Sequence, residues 1–238
     1  MSSVSRVRPI VMSAPLPPRQ LAFALGHHTS FAREDFLAGP SNSAALAMVE
    51  RWPDWPDRLL VVVGPEGSGK SHLAAIWAEA AGARFLAARA LGETNLPRAL
   101  STGALVIENV AADAVDERSL FHLINLAREQ GAFMLVTALA PPSGWTLKVP
   151  DLASRLRALP VVELGPPDDA LLRAVLVKLF ADRQLAVDES LLTYLVKRID
   201  RSFAAARAAV ERLDREALRR RRPVTRALAA EALRASEP

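Results

Sequence analysis

Cysteine is absent from the 238-residue chain, so neither a disulfide framework nor a thiolate metal site can form, and a reducing compartment such as the cytoplasm is the natural setting. No run of 18 apolar residues occurs, and the sequence offers no membrane-spanning helix. Residues 1–19 carry Arg6 and Arg8 but no extended apolar core or clear cleavage site, and they do not read as a secretory signal. Lysine is scarce. Only Lys70, Lys148, Lys178 and Lys197 stand among 30 basic residues, so the positive charge is carried by arginine. A net charge of +4 permits nucleic-acid contact without requiring it. His27 and His28 have no acidic or histidine partners spaced for a metal and read as surface residues.

Half of the residues are apolar, enough for one large domain or a large and a small one. The first 19 residues, rich in serine and proline, read as a flexible arm. Apolar runs at 59–63, 84–87, 104–107, 132–137 and 161–164 read as buried strands. Helical patterns at 43–51, 70–81, 96–100, 117–130 and 151–156 separate them. This alternation predicts an α/β fold whose mainly parallel sheet is covered on both faces. After Gly165-Pro166-Pro167 the texture changes. Four helical stretches follow, at 168–183, 188–198, 202–222 and 225–234, with Asp168, Asp188 and Thr225 as N-caps. The expected layout is an arm (1–19), a short peptide (20–25), a sheet domain (26–165) and an all-helical lid (166–236). The dense run Arg219, Arg220, Arg221, Arg222 ends at Pro223 and reads first as a helix end. Contact with nucleic acid or an acidic surface is the minority reading.

The most informative motif is residues 64–71, Gly-Pro-Glu-Gly-Ser-Gly-Lys-Ser, directly after the run 59–63. Strand, glycine-rich loop and helix start form the phosphate cradle of P-loop proteins. Backbone N–H groups of Gly64, Pro65 excepted, through Glu66, Gly67, Ser68 and Gly69 face a polyphosphate, together with the positive end of the helix. Lys70 would reach the β- and γ-phosphates, and Ser71 would sit on Mg²⁺. Such a site needs a carboxylate at the end of a neighbouring strand, and Glu108 after Leu105-Val106-Ile107 supplies the best candidate. The next residue is Asn109, where an acid commonly orients the attacking water. An amide can hold a water but cannot take its proton, so slow intrinsic hydrolysis is expected. Arg155 and Arg201 are candidates for stabilising charge on a transferring phosphoryl group.

With these motifs in place, the chain resembles the AAA+ core of the DnaA family of bacterial replication initiators over about residues 20–234. Within it, the chain is most similar to the shorter Hda-type regulatory inactivators. The segment 31–42, with Asp35-Phe36 and Gly39-Pro40-Ser41-Asn42, is similar to the family's lead into the core, which lies near the adenine. His72-Leu73 continues the family's P-loop, and residues 105–109 stand where Walker B belongs. Thr137 ends the strand of sensor 1. The segment 151–156 resembles the arginine-finger motif with Arg155 as the finger, and Arg201-Ser202-Phe203 resembles sensor 2. The departures are Glu108 for the usual Asp, Asn109 for the second acid, and Leu139 where a polar residue is expected. They favour ADP or ATP as a switching ligand over a rapidly hydrolysed substrate.

The resemblance implies partners. Residues 20–25, Gln-Leu-Ala-Phe-Ala-Leu, are similar to the peptide that holds the replication sliding clamp. Leu21, Phe23 and Leu25 would enter apolar pockets and Gln20 would make polar contacts. The implied activity is clamp-tethered stimulation of ATP hydrolysis by DnaA, with Arg155 supplied in trans. DNA is then met only through the clamp, because the sequence leaves little room for a DNA-binding domain after Arg234. A homo-oligomer is compatible with the same arrangement, and no membrane is involved. The alternative is a nucleotide-dependent DNA-binding or helicase-loader ATPase gripping phosphates with the arginines of residues 215–222.

Overall fold

The computed structural model describes residues 31–234. The arm and residues 20–25, expected to bind the clamp, lie outside the described residues, as do His27 and His28.

Five parallel strands form one sheet in the order β2-β3-β4-β1-β5. They are β1 (Leu59–Val63), β2 (Arg84–Ala87), β3 (Ala104–Val110), β4 (Phe133–Ala138) and β5 (Val161–Glu163). Alternation along the central strands builds two cores. Leu59, Val61, Val63, Leu105, Ile107, Met134 and Val136 pack beneath α4 (Glu117–Gln130) and α5 (Pro150–Arg157). Leu60, Val62, Val106 and Leu135 face α1 (Ser43–Glu50) and α2 (Lys70–Ala81). The helical layers on both faces are the α/β architecture expected from the strand–helix alternation.

Two of the strands read as buried are edges. Among the described residues only β3 pairs with β2, and only β1 pairs with β5. Each exposes part of its length, and Phe85 of β2 is 49% exposed. An apolar run cannot show whether it has one neighbour or two. Between β2 and α3 (Leu96–Ala99) the chain makes a 3₁₀ stretch, Ala88–Glu93, that the sequence pattern did not indicate. β3 runs past the expected end at Ile107 because a bulge between Ile107 and Val110 lets pairing with β4 resume at Val110 and Ala138.

The remaining helices, α6 (Asp169–Asp182), α7 (Glu189–Val196), α8 (Phe203–Arg220) and α9 (Arg226–Arg234), enclose a separate core around Leu172, Leu176, Phe180, Leu195, Val210, Leu213 and Leu228. Asp168 caps α6 by accepting the Leu171 N–H at 2.7 Å, and Asp188 caps α7 by accepting that of Leu191 at 2.8 Å. Thr225 Oγ1 accepts the Leu228 N–H at 3.3 Å at the start of α9.

Candidate nucleotide site

Local rules build the loop at the carboxyl end of β1. A Cβ on Gly64 would run into the Leu164 carbonyl and lie 2.9 Å from Ser68 Oγ, so only glycine fits there. The Gly64 N–H donates to Ala138 O at 3.3 Å, which ties the loop to the end of β4. Gly69, with φ 98°, precedes α2 and turns the chain into its first turn.

Lys70 is 7% exposed and folded inward. Its Nζ donates to Gly64 O and Pro65 O, each at 2.8 Å. Burial pushes its pKa down, and Glu66 opposes that shift. The Ser68 hydroxyl is buried with no hydrogen-bond partner among the described residues. An orphaned hydroxyl and an ammonium held only by neutral carbonyls both suit an anionic ligand with many acceptor oxygens. The residues fit a polyphosphate. Ser71 is exposed at the start of α2, and Glu108 is half-buried at the carboxyl edge of β3. Together these two would hold Mg²⁺, a Lewis acid that neutralises phosphate charge when bound. Among the described residues no three His, Asp or Glu side chains converge as a metal cage. Mg²⁺ held by one or two protein oxygens and phosphates needs none.

Asn109 lies at the bulge with φ 58°, a left-handed conformation that asparagine tolerates better than most residues. Its N–H donates to the buried Thr137 Oγ1 at 2.9 Å. Thr137 therefore fastens the bulge that presents Glu108 and Asn109. That role has no signature in the sequence, because the partners are 28 residues apart. Leu139, just beyond β4, is 65% exposed and offers no polar group.

The lid closes on the loop through backbone. The Phe203 N–H donates to Gly67 O at 2.9 Å, and a Cβ on Gly67 would lie 2.8 Å from the Ala204 Cβ. Gly67 (φ 73°) is thus required both by conformation and by the approach of α8. Ser202 caps α8 by accepting the Ala205 N–H at 3.0 Å. Arg201, expected to touch nucleotide, pairs with Asp169 at 2.8 Å, and both are exposed. An exposed pair of this kind contributes little and leaves the guanidinium easy to redirect.

The lead-in segment packs on the start of α2 and on the lid. His72 Nε2 donates to Ala32 O at 3.0 Å. Its ring stands edge-on to Phe31 and Phe36, with centroids 5.4 and 5.2 Å away. Burial is the largest cause lowering its pKa. Asn42, buried, accepts the Gly39 N–H at 2.8 Å and donates to Leu37 O at 3.0 Å, so the Gly-x-x-Asn pattern is a loop staple. Asp35 pairs with Lys178 of α6 at 2.7 Å, a second tie to the lid.

Arg155 belongs to a different surface. It is half-buried on α5, with its guanidinium 5.2 Å from the centroid of Phe121 on α4. No hydrogen bond or ion pair among the described residues joins it to the P-loop. Glu117, one turn before Phe121, accepts the N–H groups of Lys148 at 2.9 Å and Val149 at 2.8 Å, where α5 begins. Helix α4 thus fixes both the entry of α5 and its arginine. Neither Glu117 nor Phe121 stood out in the sequence, since each acts across about 30 residues of chain.

No protein-family model matches the chain. It is 26% identical to the chromosomal replication initiator protein DnaA of Thermomicrobium roseum over 243 residues, covering 88% of this chain and 50% of the relative. The chain thus spans about half the length of that curated relative. Its fold superposes on domain III of Thermotoga maritima DnaA with a TM-score of 0.70 at 20% identity, covering 86% of this chain and 96% of the other. The Thermotoga maritima RuvB Holliday junction branch migration motor gives 0.67 at 16% identity, covering 87% and 72%. The two scores differ little, so shape shows the fold alone, and the sequence similarity is to DnaA. A parallel sheet in the order β2-β3-β4-β1-β5, a P-loop after β1 and a helical lid are thus the fold that the chain shares with domain III of DnaA and with the RuvB motor.

Proposed function

We propose that the protein is a nucleotide-switched regulator of replication initiation, of the Hda type, that stimulates ATP hydrolysis by DnaA with Arg155 in trans. The observation that carries this reading is the placement of Arg155. It is steadied on Phe121 at a half-exposed surface and has no bond to its own P-loop. A guanidinium so held is available to a neighbour's phosphates. Its own site supports the complementary half of the reading. Asn109 cannot act as a base, and Leu139 cannot sense a γ-phosphate. ADP or ATP would be held by residues 64–72 with Mg²⁺ at Ser71 and Glu108, and would set the angle between sheet and lid through the Phe203–Gly67 bond.

In the partner, water attacks the γ-phosphorus of ATP as the bond to the bridging oxygen of the leaving ADP breaks. Arg155 stabilises the charge that develops on these oxygens, an effect worth roughly 10³–10⁵ in rate in related switches. Tethering through Gln20, Leu21, Phe23 and Leu25 to a clamp on DNA would raise the local concentration for this weak second contact.

The experiment uses ATP-loaded DnaA, DNA-loaded clamp and the full chain. Arg155→Ala is expected to retain clamp binding and lose stimulation. Gln20→Ala with Leu21→Ala is expected to lose clamp binding with the finger intact. Full stimulation by the Arg155 variant would falsify the finger assignment. Single-turnover hydrolysis by the isolated chain should be slower than roughly 1 s⁻¹, the low end for competent phosphoryl-transfer enzymes.

A second reading, a DNA-binding or helicase-loader ATPase, draws on the arginines at the end of α8. Stimulation that depends on DNA but not on residues 20–25 would favour it.

A further inference from the structure

Residues 211–222 of the lid carry six arginines and three carboxylates. All three carboxylates are committed. Glu211 and Asp214 face Arg183, the residue that follows α6 and whose side chain is 8% exposed, at 3.6 and 3.9 Å. Glu216 accepts from Arg219 at 2.8 Å and Arg220 at 2.9 Å, and Arg220 reaches on to Glu231 of α9. These contacts tie α8 to α6 and α9 on its inner sides. Arg215, Arg221 and Arg222 are exposed and have no carboxylate partner among the described residues. Leu218, between Arg215 and Arg219, is 66% exposed.

The fold does not require this surplus. A helix C-terminus carries about half a negative charge that fades within one turn, and Arg215 lies more than a turn before the end. Arg221 is more telling. The Arg222 N–H donates to Ala217 O at 3.1 Å and the Arg221 N–H to Leu218 O at 3.3 Å, the paired bonds of a Schellman ending. Arg221 occupies its left-handed position, with φ 51°, where glycine sits without strain. An arginine there is not what the turn favours.

We infer that the exposed end of α8, formed by Arg215, Arg219, Arg221 and Arg222, binds the phosphate backbone of duplex DNA directly, without reading sequence. Guanidinium groups match phosphate oxygens with two parallel donors. A short rigid row of them gains most from dense, rigid charge, and duplex DNA presents one charge per about 1.7 Å of its axis. Single strands are held largely by bases stacked on aromatic rings, and this surface presents arginines and one leucine. The inference stands independently of Arg155 and of the clamp peptide.

The test is fluorescence anisotropy of the full-length chain with a labelled 20-base-pair duplex of arbitrary sequence, without clamp. The three exposed arginines without a carboxylate partner predict a roughly 40-fold loss of affinity between 50 and 200 mM salt. Arg215→Gln with Arg222→Gln should remove most of that salt dependence, and Leu218→Gln should leave it unchanged. Arg221→Gly should weaken binding while raising the melting temperature, because it relieves the turn, which separates charge loss from misfolding. Absence of duplex binding at 50 mM salt overturns the inference, as does a wild-type salt slope in the double arginine variant. Tighter binding to a single strand of equal phosphate number, or to poly-glutamate, overturns the assignment to duplex DNA.

Discussion

The P-loop fits phosphate and Arg155 is proposed to act on a neighbour's, yet the two regions are constructed in opposite ways. Around the loop most groups are tied inward, the orphaned Ser68 hydroxyl excepted. Lys70 bonds the loop's own carbonyls, Gly64 is bound to β4, and the lid's Phe203 N–H is spent on Gly67 O. Arg155 is half-buried, with one ring beneath its guanidinium. A region whose ammonium is held by its own backbone carbonyls would have to release them to a competing ligand. A region whose charge is merely propped can act on another molecule.

The largest effects should divide along that line. Arg155→Ala is expected to reduce stimulation of DnaA by about 10³-fold or more, with the chain's own nucleotide affinity unchanged. Lys70→Ala is expected to weaken ADP and ATP binding by roughly 10- to 100-fold, as for loss of a charged hydrogen bond, and to spare a finger assayed at saturating nucleotide. Calorimetric titration of both variants decides it. Equal loss of nucleotide binding in the two would make the regions one site.

Gly67→Ala comes next. Its Cβ would press on Ala204 at a left-handed backbone position, and a loss of about 1–3 kcal/mol is expected. A thermal melt should show it together with a loosened lid, read as faster amide exchange at Phe203. Glu117→Gln should cost about 1 kcal/mol, comparable to loss of a helix cap, and speed exchange at Lys148 and Val149 without touching nucleotide affinity.

The smallest effect is the pH dependence carried by His72. Its folded pKa lies below the unfolded value, so the unfolded chain takes up the proton first as pH falls. Its contribution to stability is complete above about pH 6.5 and declines as pH drops from there towards the lowered folded pKa. Melting curves should show this decline in the wild type, and His72→Gln should flatten it.

Much of the site was legible because its rules are local. Gly64, Gly67 and Gly69 recur where backbone must turn or approach closely, and Asp168 and Asp188 cap helices three residues ahead of their partners. The contacts that give the site its character were not legible. Thr137 holding Asn109, Phe203 bonding Gly67, and Phe121 under Arg155 each join distant parts of the chain. No spacing rule links such residues. The edge positions of β2 and β5 escaped for the same reason.

By itself the sequence determined a P-loop after a buried strand, strands alternating with helices, and a helical lid after Gly165-Pro166-Pro167. Each follows from periodicity or turn chemistry within a few residues. Only the tertiary structure decided that Lys70 turns inward, that Arg201 pairs with Asp169, that Arg155 stands on Phe121, and that the arginines ending α8 outnumber the carboxylates free to meet them. Those outcomes depend on which side chains long-range packing brings together, and an ion pair or a shared carbonyl exists only once the fold has supplied its second partner.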